Sequence, residues 1–290
     1  MNKIIILLIG FTMLSFCGFA QYDARYVETS STTMDREKYY IIKMSRKDER
    51  VKVKYFAGKD YNGTSVYKRF NEWSRNKNII AYSSGTYMDF CDPSIATPVG
   101  ICLDNGNPVN TVIKDNLDGL AIVYATGGMV ATNLKNGDLT ITNSDKTSKK
   151  IDLRNAFQRA EFFKWAKESE ATVFQTHLFC FKNDLMVFSN GSTIKQPRRF
   201  LAVGYQSGVI KHIILNIPGN NTVYDASIKA VKFLKMEENI DNISFLINLD
   251  TGCQNVFQTR NADGTVDIRA GFNGAEPLST ATNLIVYYYE

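Results

Sequence analysis

The sequence predicts an α+β protein in which about three helices pack on a mostly antiparallel, mixed β-sheet. Short runs rich in branched and aromatic residues are separated by turn-forming pairs such as Asp-Gly, Gly-Gly and Asn-Gly, which is the pattern of hairpins. Only three segments carry apolar residues at helical spacing. Because hairpins outnumber helical crossovers, the strands are expected to pair antiparallel.

The first half of the chain reads as strands around one helix. Thr64 or Ser65 can cap that helix, whose apolar stripe is Val66, Phe70 and Trp73. We predict strands at residues 39–44, 51–56, 78–88, 101–103, 109–113, 120–124, 129–132 and 139–142.

The second half carries the other two helices. One is predicted over residues 153–168, capped by Asp152, with Leu153, Phe157, Ala160, Phe163 and Ala166 facing inward. The other begins at Thr222 in a near capping box, with the stripe Val223, Ala226, Ala230, Val231 and Leu234. Further strands are predicted at residues 173–181, 185–188, 199–203, 209–216, 243–247 and 283–289, with a hairpin over residues 256–268.

Size and composition fit one large domain or two tightly packed ones. The chain has 290 residues, of which 44% are hydrophobic, with 18 Phe and 15 Tyr; this excludes a disordered protein. The net charge of +5 is modest. Its densest basic group, within residues 43–54, reads as a solvated strand face, so we expect no nucleic-acid partner.

The first 20 residues have the pattern of a signal peptide. A positive charge precedes an apolar run over residues 4–16, and Gly18-Phe19-Ala20 forms a cleavage site. Cys17 could carry a lipoprotein anchor, but Phe16 stands where that signal requires a small residue. Since no second long apolar stretch follows, we expect a secreted or periplasmic protein with no membrane segment after cleavage.

Cleavage would leave four cysteines, Cys91, Cys102, Cys180 and Cys253. An even number in an oxidising compartment permits disulfides, and we expect Cys91 to pair with Cys102 across a Pro-containing turn region. The chain has only two histidines and no Cys-x-x-Cys clip. We therefore expect neither a structural metal nor a cofactor.

The most informative stretch is a polar end to an apolar strand. Residues 243–247 are apolar apart from one serine, and Asn248, Asp250 and Gly252 follow at the strand's end. Catalytic and binding groups often occupy such positions. The alternative is a plain turn in which the carboxylate of Asp250 caps backbone N–H groups.

Several blocks, in order, resemble the phosphodiester glycosidase domain family. The family's Asn-Gly-Gly-Tyr-Phe corresponds to Ser84-Gly85-Thr86-Tyr87-Met88, and its Gln-Ser/Thr segment corresponds to Gln175-Thr176. Its Arg-led strand corresponds to Arg198-Arg199-Phe200. Its Asn-Leu-Asp-Gly-Gly-Gly-Ser loop corresponds to Asn248-Leu249-Asp250-Thr251-Gly252-Cys253-Gln254, and its closing strand to Thr282-Asn283-Leu284-Ile285-Val286. The resemblance covers residues 78–290, which we predict to be the family domain. Before it we predict a signal peptide at 1–20 and, at 21–77, N-terminal strands and a helix integrated with the main domain.

This family is typified by an enzyme that removes N-acetylglucosamine from a sugar phosphodiester. The resemblance implies that Asp250 is catalytic, and that Gly85, Gln175, Asn248 and Gly252 help to bind a glycan or sugar-phosphate ligand. Arginine suits phosphate because its planar fork binds two oxygens. Arg198 or Arg199 would supply that fork, and strand alternation allows only one of them to face the site.

Two hypotheses on function follow from the departures. Thr251, Cys253 and Gln254 stand where the family has glycines and serine, and added side chains narrow a pocket that glycine keeps open. The chain is therefore either a hydrolase of a sugar-phosphate diester or an inactive homologue that acts as an envelope glycan-binding or structural protein.

Overall fold

The structure is a computed structural model that describes residues 22–58, 64–92, 95–137, 139–186, 193–252, 255–267 and 278–290. The predicted signal peptide lies outside these residues. The first described elements are β1 (Val27–Met34), β2 (Glu37–Ser45), β3 (Val51–Ala57), α1 (Val66–Ser74), β4 (Asn78–Ser84), β5 (Cys102–Asp104), β6 (Asn107–Asn110), β7 (Gly119–Val123), β8 (Met129–Asn133), β9 (Thr140–Thr142) and β10 (Ser148–Lys150).

The remaining elements are α2 (Ala156–Glu168), β11 (Thr172–Thr176), β12 (Leu178–Phe181), β13 (Asp184–Leu185), β14 (Gln196–Gln206), β15 (Val209–Asn221), α3 (Val223–Met236), β16 (Asn242–Leu249), β17 (Phe257–Arg260), β18 (Val266–Asp267) and β19 (Asn283–Tyr289). No helix among the described residues is long and apolar enough to cross a membrane.

The strands form several sheets rather than the single mixed sheet that the sequence predicts. Sheet I has the order β1-β2-β15-β14-β16-β12-β13, sheet II β18-β17-β4-β19-β3 and sheet III β6-β5-β11-β7-β8, while β9 and β10 form a separate pair. Every described strand pairing is antiparallel. The protein is thus sheet-dominated, with about 46% strand.

The inner faces of the three sheets meet in one hydrophobic core. Ile247 of sheet I, Tyr55 of sheet II and Phe174 of sheet III are each fully buried there, and the rings of Tyr55 and Phe174 stack 4.2 Å apart. β2 and β3, which precede residue 78, pair with β15 and β19 respectively. The N-terminal strands therefore lie within the same sheets as the later ones.

Each outer face is covered by one helix. α3 packs on sheet I, where Phe233 stacks on Tyr39 at 4.6 Å. α2 covers sheet III through Phe162 and Trp165, and α1 covers sheet II through Phe70. Every described helix therefore buries its apolar face on a sheet.

Local signals located two helix starts correctly. Ser65 caps α1 and Thr222 caps α3, each through its hydroxyl. α2 differs from the prediction, because Asn155 is its cap and Phe157 is 89% exposed. Aromatic residues occur on more than one side of this helix, so several apolar stripes were possible and the sheet selected the one with Phe162 and Trp165.

The predicted pairing of Cys91 with Cys102 is wrong. Cys102 is a free thiol in the inner core, fully buried on β5. Cys91 is disulfide-bonded, and its partner lies outside the described residues, because Cys180 is also free. Proximity in sequence was misleading here, since a strand carries Cys102 inward while Cys91 lies in an exposed loop.

Candidate functional site

The candidate site lies where β14 and β16 meet at the edge of their ladder. Arg199 pairs with Leu249, the last residue of β16, and Phe200 pairs with Asn248. Side chains alternate across a sheet, so Arg198 and Asn248 lie on one face of sheet I, and Arg199 lies on the other. Asp250 directly follows β16 at this end of the ladder.

Asp250 meets Gly85 although 165 residues separate them in sequence. The N–H of Asp250 donates to the carbonyl oxygen of Gly85 at 2.8 Å. The N–H of Gly85 donates to Oδ1 of Asn283 at 2.9 Å, and a Cβ at this position would lie 2.6 Å from the same oxygen and closer still to the Tyr55 ring. Close packing thus requires glycine here, and its amide is already used within the protein.

The carboxylate of Asp250 is almost enclosed, with the residue 6% exposed. Its Oδ1 accepts a hydrogen bond from the N–H of Gly252 at 2.9 Å, which is the turn contact of the simpler interpretation. No side chain among the described residues donates a hydrogen bond to it. Burial raises the pKa of this carboxyl, against the opposing effects of the Gly252 N–H and of the Arg199 and Arg198 charges.

Arg199 is fully buried and held by the protein itself. Its guanidinium donates to Oδ1 of Asn216 at 2.6 Å, to Oγ of Ser83 at 3.1 Å, to the carbonyl of Val256 at 3.0 Å and to Oδ1 of Asn255 at 2.8 Å. It also lies 4.5 Å from the Phe257 ring centroid. Burial lowers its pKa to about 9. Arg199 therefore connects sheets I and II rather than serving as a free phosphate fork.

Arg198 uses fewer of its hydrogen-bond donors within the protein than Arg199 does. Its Nε donates to the carbonyl of Asn221 at 3.2 Å and its Nη2 to that of Ile194 at 2.8 Å. Nη1 donates to no described residue. The charge of Arg198 interacts with Tyr87 and Asp250, and burial lowers its pKa. The charges of both arginines act on Asp250, but Arg198 is the one with a guanidinium nitrogen that no described residue engages.

Asn248, Tyr87 and His177 complete this region. Together with Arg198 and Asp250 they form what we call the strand-end cluster. The backbone of Asn248 donates to the carbonyl of His177 at 3.0 Å, while its side-chain Oδ1 is buried with no hydrogen-bond partner among the described residues. The Tyr87 ring meets the His177 ring edge-on at 5.4 Å. Burial lowers the pKa of His177, and the Arg198 charge acts in the same direction.

The sequence indicated these added residues only faintly. Tyr87 lies in the block that begins at Ser84 and has the family's aromatic position. His177 follows the Gln175-Thr176 segment, and the chain lacks the nucleophile elbow that would make this histidine a candidate for a hydrolytic triad.

Gln175 takes no part in the cluster. Its Nε2 donates to the carbonyls of Lys114 and Leu117, both at 2.7 Å, and its Oε1 accepts from the N–H groups of Ile101 and Lys114 at 3.0 and 3.1 Å. An amide has two donors and two acceptor positions. All four are used here to hold the loop before β7, which leaves none for a ligand.

Metal coordination finds no support in the part of the chain that the structure describes. No group of three His, Cys, Asp or Glu side chains is arranged there to hold an ion.

Comparison with solved structures gives a fold likeness. The chain resembles the catalytic domain of zebrafish N-acetylglucosamine-1-phosphodiester alpha-N-acetylglucosaminidase, auto-inhibited by its pro-peptide, with a TM-score of 0.50, 11% identity and coverage of 91% of this chain and 82% of that one. A hypothetical protein from Synechocystis matches with a TM-score of 0.49, 9% identity and coverage of 91% and 62%. No protein-family model matches the chain, and no curated protein does.

The chain shares a fold with that catalytic domain. At 11% identity the likeness concerns backbone architecture and says nothing about which side chains act.

Proposed function

We propose that this chain is a secreted phosphodiester-glycosidase-like protein that binds a sugar-phosphate diester at the strand-end cluster and hydrolyses its glycosidic bond to phosphate. The observation that carries the proposal is the register of β14 and β16: Arg199 pairs with Leu249 at the end of β16, so Arg198 and Asp250, the next residue along each segment, lie at the same end of the ladder. The signal-peptide pattern of residues 1–20 supports secretion, and the fold likeness supports the choice of substrate class.

In this proposal Arg198 binds the phosphate. Nη1 is the donor that no described residue uses, and the charge is partly desolvated. A charge-assisted bond to a phosphate oxygen is strongest in such a setting. Because phosphate departs as an anion, a fixed positive charge beside it stabilises the developing charge in the transition state.

Asp250 serves as the general base. Burial raises the pKa of its carboxyl, which makes the ionised form a stronger base toward a water molecule at the anomeric carbon. The buried Oδ1 of Asn248 can accept a hydrogen bond from a sugar hydroxyl. Burial lowers the pKa of His177, so its neutral ring, which packs edge-on against Tyr87, can orient that water.

A second candidate, an inactive glycan-binding or structural protein, is favoured by how closed the cluster is. Asp250, Arg198 and Asn248 are at most 6% exposed, and the carboxylate of Asp250 already caps Gly252. The Thr251 hydroxyl, which stands where the family has glycine, donates to the carbonyl of Pro197 at 2.8 Å.

The substitution Asp250→Asn separates the two candidates. We expect it to abolish release of sugar from an aryl α-glycosyl phosphodiester while the thermal midpoint stays nearly unchanged, because the amide keeps the volume and the turn acceptor but loses basicity. Turnover is measured by phosphate-ester release over a panel of sugars.

Asp263→Asn is the matched control. Oδ1 of Asp263 accepts from the N–H of Thr265 at 2.9 Å in an exposed turn, so the same chemical change is made at a similar backbone contact outside the cluster. Full activity of this variant, with none in Asp250→Asn, supports the enzyme. A wild type that turns over no member of the panel, together with an Asp250→Asn variant destabilised by about 0.5–2 kcal/mol, would favour the inactive homologue.

A further inference from the structure

A polar cavity of about 240 Å³ lies between the edge of sheet II and one end of sheet III. It is lined by Lys54 on β3, Trp73 and Lys77 at the end of the α1 segment, Tyr124 after β7, and Glu170 before β11, with Glu290 among others. None of the strand-end cluster residues lines it. A water molecule occupies roughly 30 Å³ of liquid, so the space is large enough for a molecule of monosaccharide size.

Lys54 is a cation with no counter-ion in the part of the chain described. Its ammonium makes no hydrogen bond or ion pair there, and its recorded partner is the Phe56 ring at 5.3 Å from Nζ. Lys77 differs, because it is ion-paired with the side chain of Glu290. Burial lowers the pKa of Lys54, while the more distant charge of Asp104 opposes this. A partly desolvated ammonium on a cavity wall is a site for an anionic group.

Trp73 and Tyr124 add two hydrogen-bond donors to the lining. Within the described residues, the indole N–H of Trp73 and the hydroxyl of Tyr124 donate to no acceptor. Trp73 packs edge-on against Tyr288 at 4.8 Å, and Tyr124 packs edge-on against Trp165 at 6.5 Å. With the ammonium of Lys54, these donors suit a ligand that has several oxygen acceptors.

Two lysines and two glutamates line the cavity. The side chain of Glu290 is ion-paired with Lys52 and Lys77, and the exposed Glu170 acts on Lys54 through its charge. Lys54 makes no ion pair with a described residue, so its ammonium is the cation of this lining that is available to an anionic group.

We propose that this cavity is a second binding site, independent of the strand-end cluster, for a monosaccharide that bears a carboxylate or phosphate group. The acidic group binds Lys54, and the sugar hydroxyls accept from Trp73 and Tyr124.

Titration calorimetry on the wild type with glucose 6-phosphate, glucuronate, inorganic phosphate and neutral glucose tests the site. We expect at least one acidic sugar to bind ten times more tightly than glucose and than inorganic phosphate. Lys54→Met should weaken that binding at least tenfold. Lys38→Met is the matched control, because Lys38 also lies over an aromatic ring, that of Tyr40 at 4.9 Å, but on sheet I; its affinity should stay within twofold of the wild type.

Three results would overturn the proposal. They are no binding of either acidic sugar, equal affinity for inorganic phosphate and the acidic sugar, or unchanged affinity in a folded Lys54→Met. Arg198→Met should leave this binding intact, and its loss there would assign the ligand to the strand-end cluster instead. Since Lys54 has no polar partner to lose, we expect Lys54→Met to keep the wild-type melting temperature, which circular dichroism checks.

Discussion

Two neighbouring arginines on β14 occupy opposite kinds of buried site. Arg199, on the inner face of sheet I, donates to four acceptors from three parts of the chain. Arg198, on the other face, uses two of its nitrogens on backbone carbonyls and keeps the third unengaged. Nearby, Asn248 has an acceptor without a partner among the described residues. A buried polar group whose donors and acceptors all have partners stabilises a fold. One with an unused donor or acceptor can still bond to a ligand.

The largest effect should come from Arg199→Met. Removing the guanidinium leaves the buried acceptors of Asn216 and Ser83 without their donor, and each orphaned group costs about 1–3 kcal/mol. The carbonyl of Val256 keeps the N–H of Ser84. Burial of the charge has its own cost, as the lowered pKa shows, which offsets part of the loss. We expect the free energy of unfolding to fall by about 3–5 kcal/mol in urea denaturation.

A loss below about 1 kcal/mol for Arg199→Met would break the contrast, because Arg199 would then not be needed to join the sheets. Arg199→Lys is a useful companion. It keeps the charge but not the fork, so a clear loss of stability there would assign the effect to hydrogen-bond geometry.

Arg198→Met should reduce ligand binding or turnover more than it reduces stability. It removes hydrogen bonds to Asn221 and Ile194, so we expect the free energy of unfolding to fall by only about 1–2 kcal/mol. Turnover, or binding of a non-hydrolysed phosphodiester, should fall at least about 100-fold, because loss of a charged contact to phosphate costs about 3 kcal/mol. An Arg198→Met variant that is as unstable as Arg199→Met but keeps its ligand affinity would make both arginines structural.

The smallest effect concerns pH and the carboxyl between the two arginines. Burial raises the native pKa of Asp250 above its ordinary 3.8, so the folded state holds the proton when the unfolded chain has released it. The wild type should therefore lose stability relative to Asp250→Asn as pH rises from 3.8 through the raised native pKa, and the difference should then stay constant. Urea denaturation of both proteins across this interval measures it.

Asp263 should give the opposite sign. Its hydrogen bonds to Thr265 lower its pKa, so the wild type should gain stability relative to Asp263→Asn as pH rises toward the ordinary value, by a smaller amount because the group is exposed. If Asp250 followed the sign of Asp263, the arginine charges would outweigh burial, and the strand-end cluster would behave as a paired network like that around Arg199.

Local chemistry made several parts of the fold predictable. Ser65 and Thr222 cap helices with their own hydroxyls, and the apolar run into Asp250 forms the buried strand β16. β1 was missed, because its sequence is largely polar and only Val27 and Met34 are buried. Such an edge strand depends on its neighbour β2 rather than on its own hydrophobic pattern.

The meeting of two distant blocks was predictable from the sequence. The N–H of Asp250 donates to the carbonyl of Gly85, and β14 begins, with Arg198, beside the end of β16. The functions of single residues within those blocks were less predictable. The amides of Gly85 and Gln175 are hydrogen-bonded within the protein. This could not be predicted, because their partners are distant in sequence and cannot be recognised from the neighbouring residues.

The sequence by itself determined the caps of α1 and α3, the hydrophobic strands and which blocks carry polar groups, because these depend on neighbours within a few residues. Only the tertiary structure decided that three sheets share one core, that Arg199 and not Arg198 faces that core, and that Cys102 is a free thiol. These outcomes depend on register and on packing between segments that are far apart in sequence. A shift of one residue in register would exchange the environments of the two arginines.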